Sequence, residues 1–73
     1  MKYVNSEEIC YAIKKRRTEL KISQRMMAEV TGLSKYAIIL LESNRKSPTL
    51  KTLEKVCEVL RLDLYIAEKQ AHN

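Results

Sequence analysis

Residues 22–42 read ISQRMMAEVTGLSKYAIILLE and are the most informative part of the chain. Ser23 and Ser34 lie 11 residues apart, and serine is favoured at the position just before a helix begins. Gly32 lies between them, where a helix can end in the left-handed conformation that glycine adopts easily. This spacing predicts two short helices joined by a tight turn.

The second of these helices is ambiguous by periodicity alone. Residues 37–41 form a continuous apolar run, which would also suit a buried strand. We favour a helix because Ser34 is a good cap and because Ile38 and Leu41, three residues apart, fall on one helical face.

A helix is also predicted near the start of the chain, beginning at Asn5 or Ser6. Asn5 is followed three residues later by Glu8, which resembles a capping box. Apolar residues then recur near one helical face, while the opposite face is basic and is interpreted as solvated. The apolar positions are Ile9, Ala12, Ile13 and Leu20, and the basic positions are Lys14, Lys15 and Arg16.

A fourth helix is predicted after a basic loop that runs from Arg45 to Pro48. Asn44 precedes the loop and tolerates the left-handed conformation that ends a helix. Thr49 is the expected cap of the fourth helix. Its predicted core stripe consists of Leu50, Leu53, Val56, Cys57 and Leu60.

The C-terminal tail shows the alternation of a strand, predicted over residues 62–68. Within one helical domain its only evident partner is the short segment 3–4, so we expect pairing with a second copy across a two-fold axis. The alternative is a fifth helix with Leu62 and Ile66 on one face. The expected dimerisation residues are Leu62, Leu64 and Ile66.

Length and composition indicate one small domain over residues 1–73, with its core in residues 6–62 and a dimerisation tail. The net charge is +5, from 14 basic and 9 acidic residues, which permits binding to phosphate without proving it. The longest apolar run, residues 37–41, is far too short to span a bilayer. We expect no membrane association and a cytoplasmic location with the nucleoid.

Catalytic chemistry is not indicated. The sequence contains no evident acid–base cluster, activated nucleophile, phosphate-binding glycine loop or metal-ligand set, so we expect no enzyme, cofactor or metal. His72 is the only histidine, at the C-terminal edge. Cys10 and Cys57 are interpreted as reduced core thiols rather than as a disulfide or metal pair.

Taken together, a set of motifs from residue 9 to residue 62 resembles the helix-turn-helix domain of the Xre/Cro/phage-repressor family. The resemblance covers about three quarters of the chain, and the ordered set is far more specific than any one motif. Its parts are Ile13-Lys-Lys-Arg-Arg17, Leu20-Lys-Ile-Ser-Gln24, Met27-Ala28, Gly32-Leu-Ser34, Ile38, Leu41-Glu42 and Pro48-Thr-Leu50-Lys-Thr-Leu53.

The resemblance implies an all-α, compact four- to five-helix fold whose third helix reads DNA. It also implies a buried salt bridge between Arg17 and Glu42, which would make Arg17 structural. The residues that it places at the DNA are Gln24, Ser34, Lys35, Tyr36, Leu40, Arg45 and Lys46. In the family, the glutamine holds a phosphate and braces the recognition helix, and the basic loop contacts the backbone.

Some of these positions allow a plainer interpretation. Lys35 could be a solvated lysine, and Tyr36 could pack against the second helix. Ile39 and Leu40 depart from the family pattern, because relatives usually carry polar or basic side chains there. Apolar groups can touch a thymine methyl but cannot hydrogen-bond to bases, and they leave an apolar patch that can mark a protein partner.

The resemblance implies a homodimeric, sequence-specific DNA-binding transcriptional regulator that recognises a palindromic operator. A chain this small leaves no room for a sensor domain, and small members with a C-terminal strand look like autorepressing antitoxins that bind a toxin protein. The alternatives are a stand-alone phage-type or chromosomal repressor, and a protein-interaction module with little DNA binding.

Overall fold

The computed structural model describes residues 5–66, which form four α-helices and contain no strand. The all-α expectation is therefore confirmed for this part of the chain, and the apolar run of residues 37–41 is helical. The helices are α1 (Ser6–Glu19), α2 (Gln24–Thr31), α3 (Lys35–Glu42) and α4 (Leu50–Leu60).

The helix starts follow the predicted caps. Each cap side chain accepts a hydrogen bond from the backbone N–H three residues later, and α1 has the full capping box between Asn5 and Glu8. The caps are Asn5, Ser23, Ser34 and Thr49. Gly32 ends α2 at φ 78°, and Asn44 follows α3 at φ 58°, so both predicted left-handed positions are present.

The core lies where α1 and α2 each pack against α3 and α4. Its buried cluster draws on every helix and is almost entirely aliphatic, with one thiol. The cluster consists of Cys10, Ile13, Met27, Ile38, Leu41, Val56 and Leu60. Because α3 contacts both α1 and α2, its position is fixed by tertiary packing and not by the turn alone.

Three residues that the sequence placed on apolar helical faces are exposed. Ala12 lies well away from the face of α1 that carries Cys10 and Ile13, since each helical residue turns by about 100°. Leu20 follows the last residue of α1 and serves as its C-cap. Leu50, 65% exposed, is the first residue of α4 and lies at the helix end, outside the buried stripe.

The tail departs from the expected strand, since residues 62–66 form neither a strand nor a fifth helix. Arg61 takes a left-handed conformation, and the Leu62 N–H donates to the Cys57 carbonyl at 2.8 Å, which closes the end of α4. The Leu62 side chain packs against the core. Residues 67–68 of the predicted strand, the segment 3–4 and His72 lie outside the described residues.

Both cysteines are free and buried, as expected for core thiols. Burial raises the pKa of Cys10 and of Cys57. The Cys10 thiol lies 3.5 Å from Oδ1 of Asn44, which links α1 to the end of α3. Between residues 5 and 66, no helix is long and apolar enough to cross a lipid bilayer.

The turn between α2 and α3 yields a stability prediction at Gly32. A Cβ added there would meet nothing within 4 Å, so the cost of Gly32→Ala is the left-handed backbone alone, about 1 kcal/mol. Urea unfolding should show this loss. Gly32→Asn is the matched control and should lose less, because Asn tolerates that conformation. An alanine variant as stable as the parent protein would contradict the assignment.

Candidate nucleic-acid interface

The C-terminal end of α3 is held by a buried ion pair. Arg17 Nε lies 2.5 Å from Glu42 Oε2, and Arg17 Nη2 lies 3.0 Å from Glu42 Oε1, which is a bidentate geometry. The two side chains are only 10% and 3% exposed. Arg17 Nη1 also donates to the Ile22 carbonyl at 2.7 Å, so one guanidinium joins α1, the α1–α2 turn and α3.

Gln24, the first residue of α2, completes this arrangement. Its Nε2 donates to Glu42 Oε1 at 3.1 Å, so the amide braces α3 against the start of α2. The bracing contact implied by the family resemblance is therefore present. The side chain remains partly exposed at the surface beside the N-terminus of α2.

The N-terminal end of α3, in contrast, is open. Ser34 Oγ accepts the Ala37 N–H at 3.0 Å, which leaves the hydroxyl proton available to donate elsewhere. Lys35 is exposed, and Tyr36 is 68% exposed instead of packing against α2. The first turn of α3 thus presents a hydroxyl, an ammonium and a phenol to the surroundings.

A groove of about 320 Å³ runs between α3 and the segment that leads into α4. It brings together four of the predicted site residues and includes no acidic side chain in its lining. These four are Ser34, Tyr36, Leu40 and Lys46. Gln24, Lys35 and Arg45 do not line it.

The cations near this groove are not neutralised by neighbours in the described part of the chain. None of the ion pairs found among residues 5–66 involves Lys35, Arg45 or Lys46. Arg45 and Lys46 are exposed in the loop that follows α3. The first turn of α3, with Lys35, and the loop that follows the helix can therefore attract an anionic partner.

One structural contact is not evident from the sequence. Arg16, interpreted as part of a solvated face, donates from Nε to the Leu60 carbonyl at 2.9 Å. It thereby satisfies an acceptor at the C-terminal end of α4 and ties α1 to that helix. Arg16 and Leu60 are 44 residues apart, so no local pattern could have indicated the bond.

Within residues 5–66, no three His, Cys, Asp or Glu side chains come together as a metal site would require. The geometry is instead that of a helix-turn-helix domain: a short braced helix whose N-terminal turn stands free beside a basic loop. The chain belongs to the Xre-type helix-turn-helix family, whose sequence pattern matches residues 13–66. Members of this family are DNA-binding regulators and not enzymes.

Solved structures share this fold over most of the chain. A chain of the HipA–HipB–O2–O3 complex is 23% identical, with a TM-score of 0.84 and coverage of 96% of this chain and 99% of that chain. The restriction–modification controller protein C.Esp1396I is 31% identical, with a TM-score of 0.72 and coverage of 80% and 74%. SinR, the master regulator for biofilm formation, solved with DNA, is 34% identical, with a TM-score of 0.70 and coverage of 75% and 89%.

No curated protein sequence matches the chain significantly. At 23% identity, the likeness to the HipA–HipB–O2–O3 complex concerns the fold alone. The likenesses to SinR and to C.Esp1396I extend to sequence and agree with the family assignment.

The buried pair yields a second prediction. Glu42→Ala leaves Arg17 without its carboxylate, and removal of one partner of a buried pair costs about 3–5 kcal/mol. The exposed pair Arg25–Glu29 provides the control, because Glu29→Ala should change the free energy of unfolding by less than about 1 kcal/mol. Thermal and urea unfolding of both variants measure the difference, and equal losses would refute the bracing role.

Proposed function

We propose that the protein is a homodimeric transcriptional regulator that binds a specific, near-palindromic DNA operator. The observation that carries the proposal is the open N-terminal turn of α3 with its basic loop. Lys35 and Tyr36 are the proposed base-reading residues, joined by Leu40. A lysine at this place suits guanine, which presents two acceptors in the major groove.

Contacts to the DNA backbone are assigned to residues on either side of the recognition helix. Arg45 and Lys46 are exposed cations free of ion pairs with residues 5–66. Ser34 and Gln24 are proposed to donate to phosphates through short side chains held at helix N-termini. These phosphate contacts would supply most of the affinity and make binding strongly dependent on salt.

Dimerisation is assigned to the C-terminal tail. Leu64 and Ile66 are exposed, and Ile66 is 99% exposed, so residues 5–66 of a single copy leave apolar surface here without cover. Pairing of residues 62–68 with a second copy would cover it and satisfy the strand pattern. Leu62 would then link the core to the tail. The two recognition helices would enter successive major grooves about 34 Å apart.

Autorepression as an antitoxin, with a toxin protein as partner, is the finer form of the proposal. Its support is the resemblance noted in the sequence and the shared fold with HipB, which occurs in a complex with HipA. A stand-alone repressor is the second candidate, favoured by the 34% identity to the regulator SinR. A toxin-like reading frame beside this gene would favour the antitoxin. Absence of such a reading frame would favour the stand-alone repressor.

The proposal is tested by selecting bound sites from random duplex DNA at two salt concentrations. We expect enrichment of a near-palindrome whose half-sites lie about one helical turn apart, with affinity falling steeply as salt rises. Enriched sites without two-fold symmetry would contradict the dimer. No binding at low salt would contradict DNA recognition and favour a protein-interaction module. In that case the exposed Ile39 would contact the protein partner.

Two substitutions separate base reading from backbone contact. Lys35→Ala should relax the preference at one base pair, with a discrimination loss of about 1–3 kcal/mol. Arg45→Ala should weaken all sequences alike and lower the salt slope by about one. Titration of the selected site and of its single-base variants distinguishes the two. Equal losses on every sequence in both variants would refute these roles.

A further inference from the structure

The exposed side of α3 has few groups able to hydrogen-bond beyond its first turn. Ile39 is 38% exposed, and Leu40 is partly exposed in the groove. Ser43 follows them, but its hydroxyl lies 2.8 Å from the Ile39 carbonyl and 3.3 Å from the Leu40 carbonyl, so its proton is donated within the helix. The second half of this surface is therefore aliphatic.

Glu42 is also committed elsewhere. Its carboxylate accepts hydrogen bonds from Arg17 and from Gln24, and its side chain is only 3% exposed. Hydrogen-bond donation from side chains of the helix is thus confined to Lys35 and Tyr36, and Ser43 keeps only its capacity to accept. A partner surface that met the rest of α3 would need an apolar group of its own.

The charges around this aliphatic surface favour DNA as that partner. Leu40 shares its groove with Lys46, and the lining of the groove has no acidic residue. Lys35 lies one turn before Ile39 and forms no ion pair with residues 5–66. An apolar surface flanked by cations that form no ion pair with residues 5–66 is complementary to a polyanion that carries apolar groups.

In the DNA major groove, the 5-methyl group of thymine is the apolar group that a base edge presents. An aliphatic side chain placed against the amino group of cytosine would instead dehydrate a donor without replacing its bonds. We propose that Ile39 and Leu40 make this protein a reader of pyrimidine 5-methyl groups, selecting thymine and, by the same chemistry, 5-methylcytosine over cytosine. This inference rests on the proposed DNA-binding function.

The test uses two random duplex pools, one synthesised with thymine and the other with uracil, which lacks only the methyl group. Sites selected from the thymine pool should bind about fourfold more weakly, for each contacted methyl that is lost, when uracil replaces thymine. The reason is that burial of one methyl stabilises by about 0.8 kcal/mol. At a selected thymine position, 5-methylcytosine should likewise bind about fourfold better than cytosine.

Matched variants locate the effect. Ile39→Gln combined with Leu40→Gln should bring the thymine-to-uracil affinity ratio close to one, while Lys35→Ala should keep the ratio and lose affinity. Met26→Gln, an exposed apolar position on α2, is the surface control and should leave both unchanged. Circular dichroism and thermal unfolding of each variant verify the fold.

The outcomes separate the two proposals. Specific binding with equal affinity for thymine and uracil sites would overturn methyl reading and leave the regulator intact. A ratio that persists in the double glutamine variant would assign the discrimination to other residues and overturn the role of Ile39 and Leu40. Absence of binding in both pools would overturn the regulator and the methyl reading together.

Discussion

The ion pair between Arg17 and Glu42 is the constraint on which the rest of the structure depends. Removing two charges from water is costly, and a buried pair is tolerated only when its remaining hydrogen-bonding groups are satisfied. Here the guanidinium also bonds the Ile22 carbonyl and the carboxylate also accepts from Gln24. Four segments of backbone therefore meet at one cluster, and α3 cannot shift without breaking it.

This arrangement divides α3 into two ends with different tasks. The helix has eight residues, too few to be stable alone in water, so its shape depends on what holds it. Ile38 and Leu41 anchor one side in the core, and Glu42 fixes the C-terminal end. These anchors fix the helix while leaving the side chains of Lys35 and Tyr36, in its first turn, exposed.

Local features were predictable because they depend on neighbours in sequence. Ser23, Ser34 and Thr49 were predictable as caps because each side chain bonds the backbone N–H three residues later. The end of α2 at Gly32 was predictable because glycine adopts positive φ easily. The place of Lys35 and Tyr36 in the first turn of α3 was predictable for the same reason, since they follow Ser34 directly, whereas their proposed role in reading bases rests on the family resemblance. The exposure of Leu50 was missed, because periodicity assigns a residue to a helical face but does not show that the first residue of the helix lies outside the buried stripe.

The sequence by itself determined where the helices begin and turn, since those signals act over three or four residues. The family resemblance implied the pair between Arg17 and Glu42, and only the tertiary structure showed that the neighbouring Arg16 is structural as well. Arg16 and Arg17 are adjacent in sequence, yet one bonds the end of α4 and the other a buried carboxylate on α3. Their partners lie 44 and 25 residues away, and the cost of burying a charge is met only when the folded chain brings donor and acceptor together.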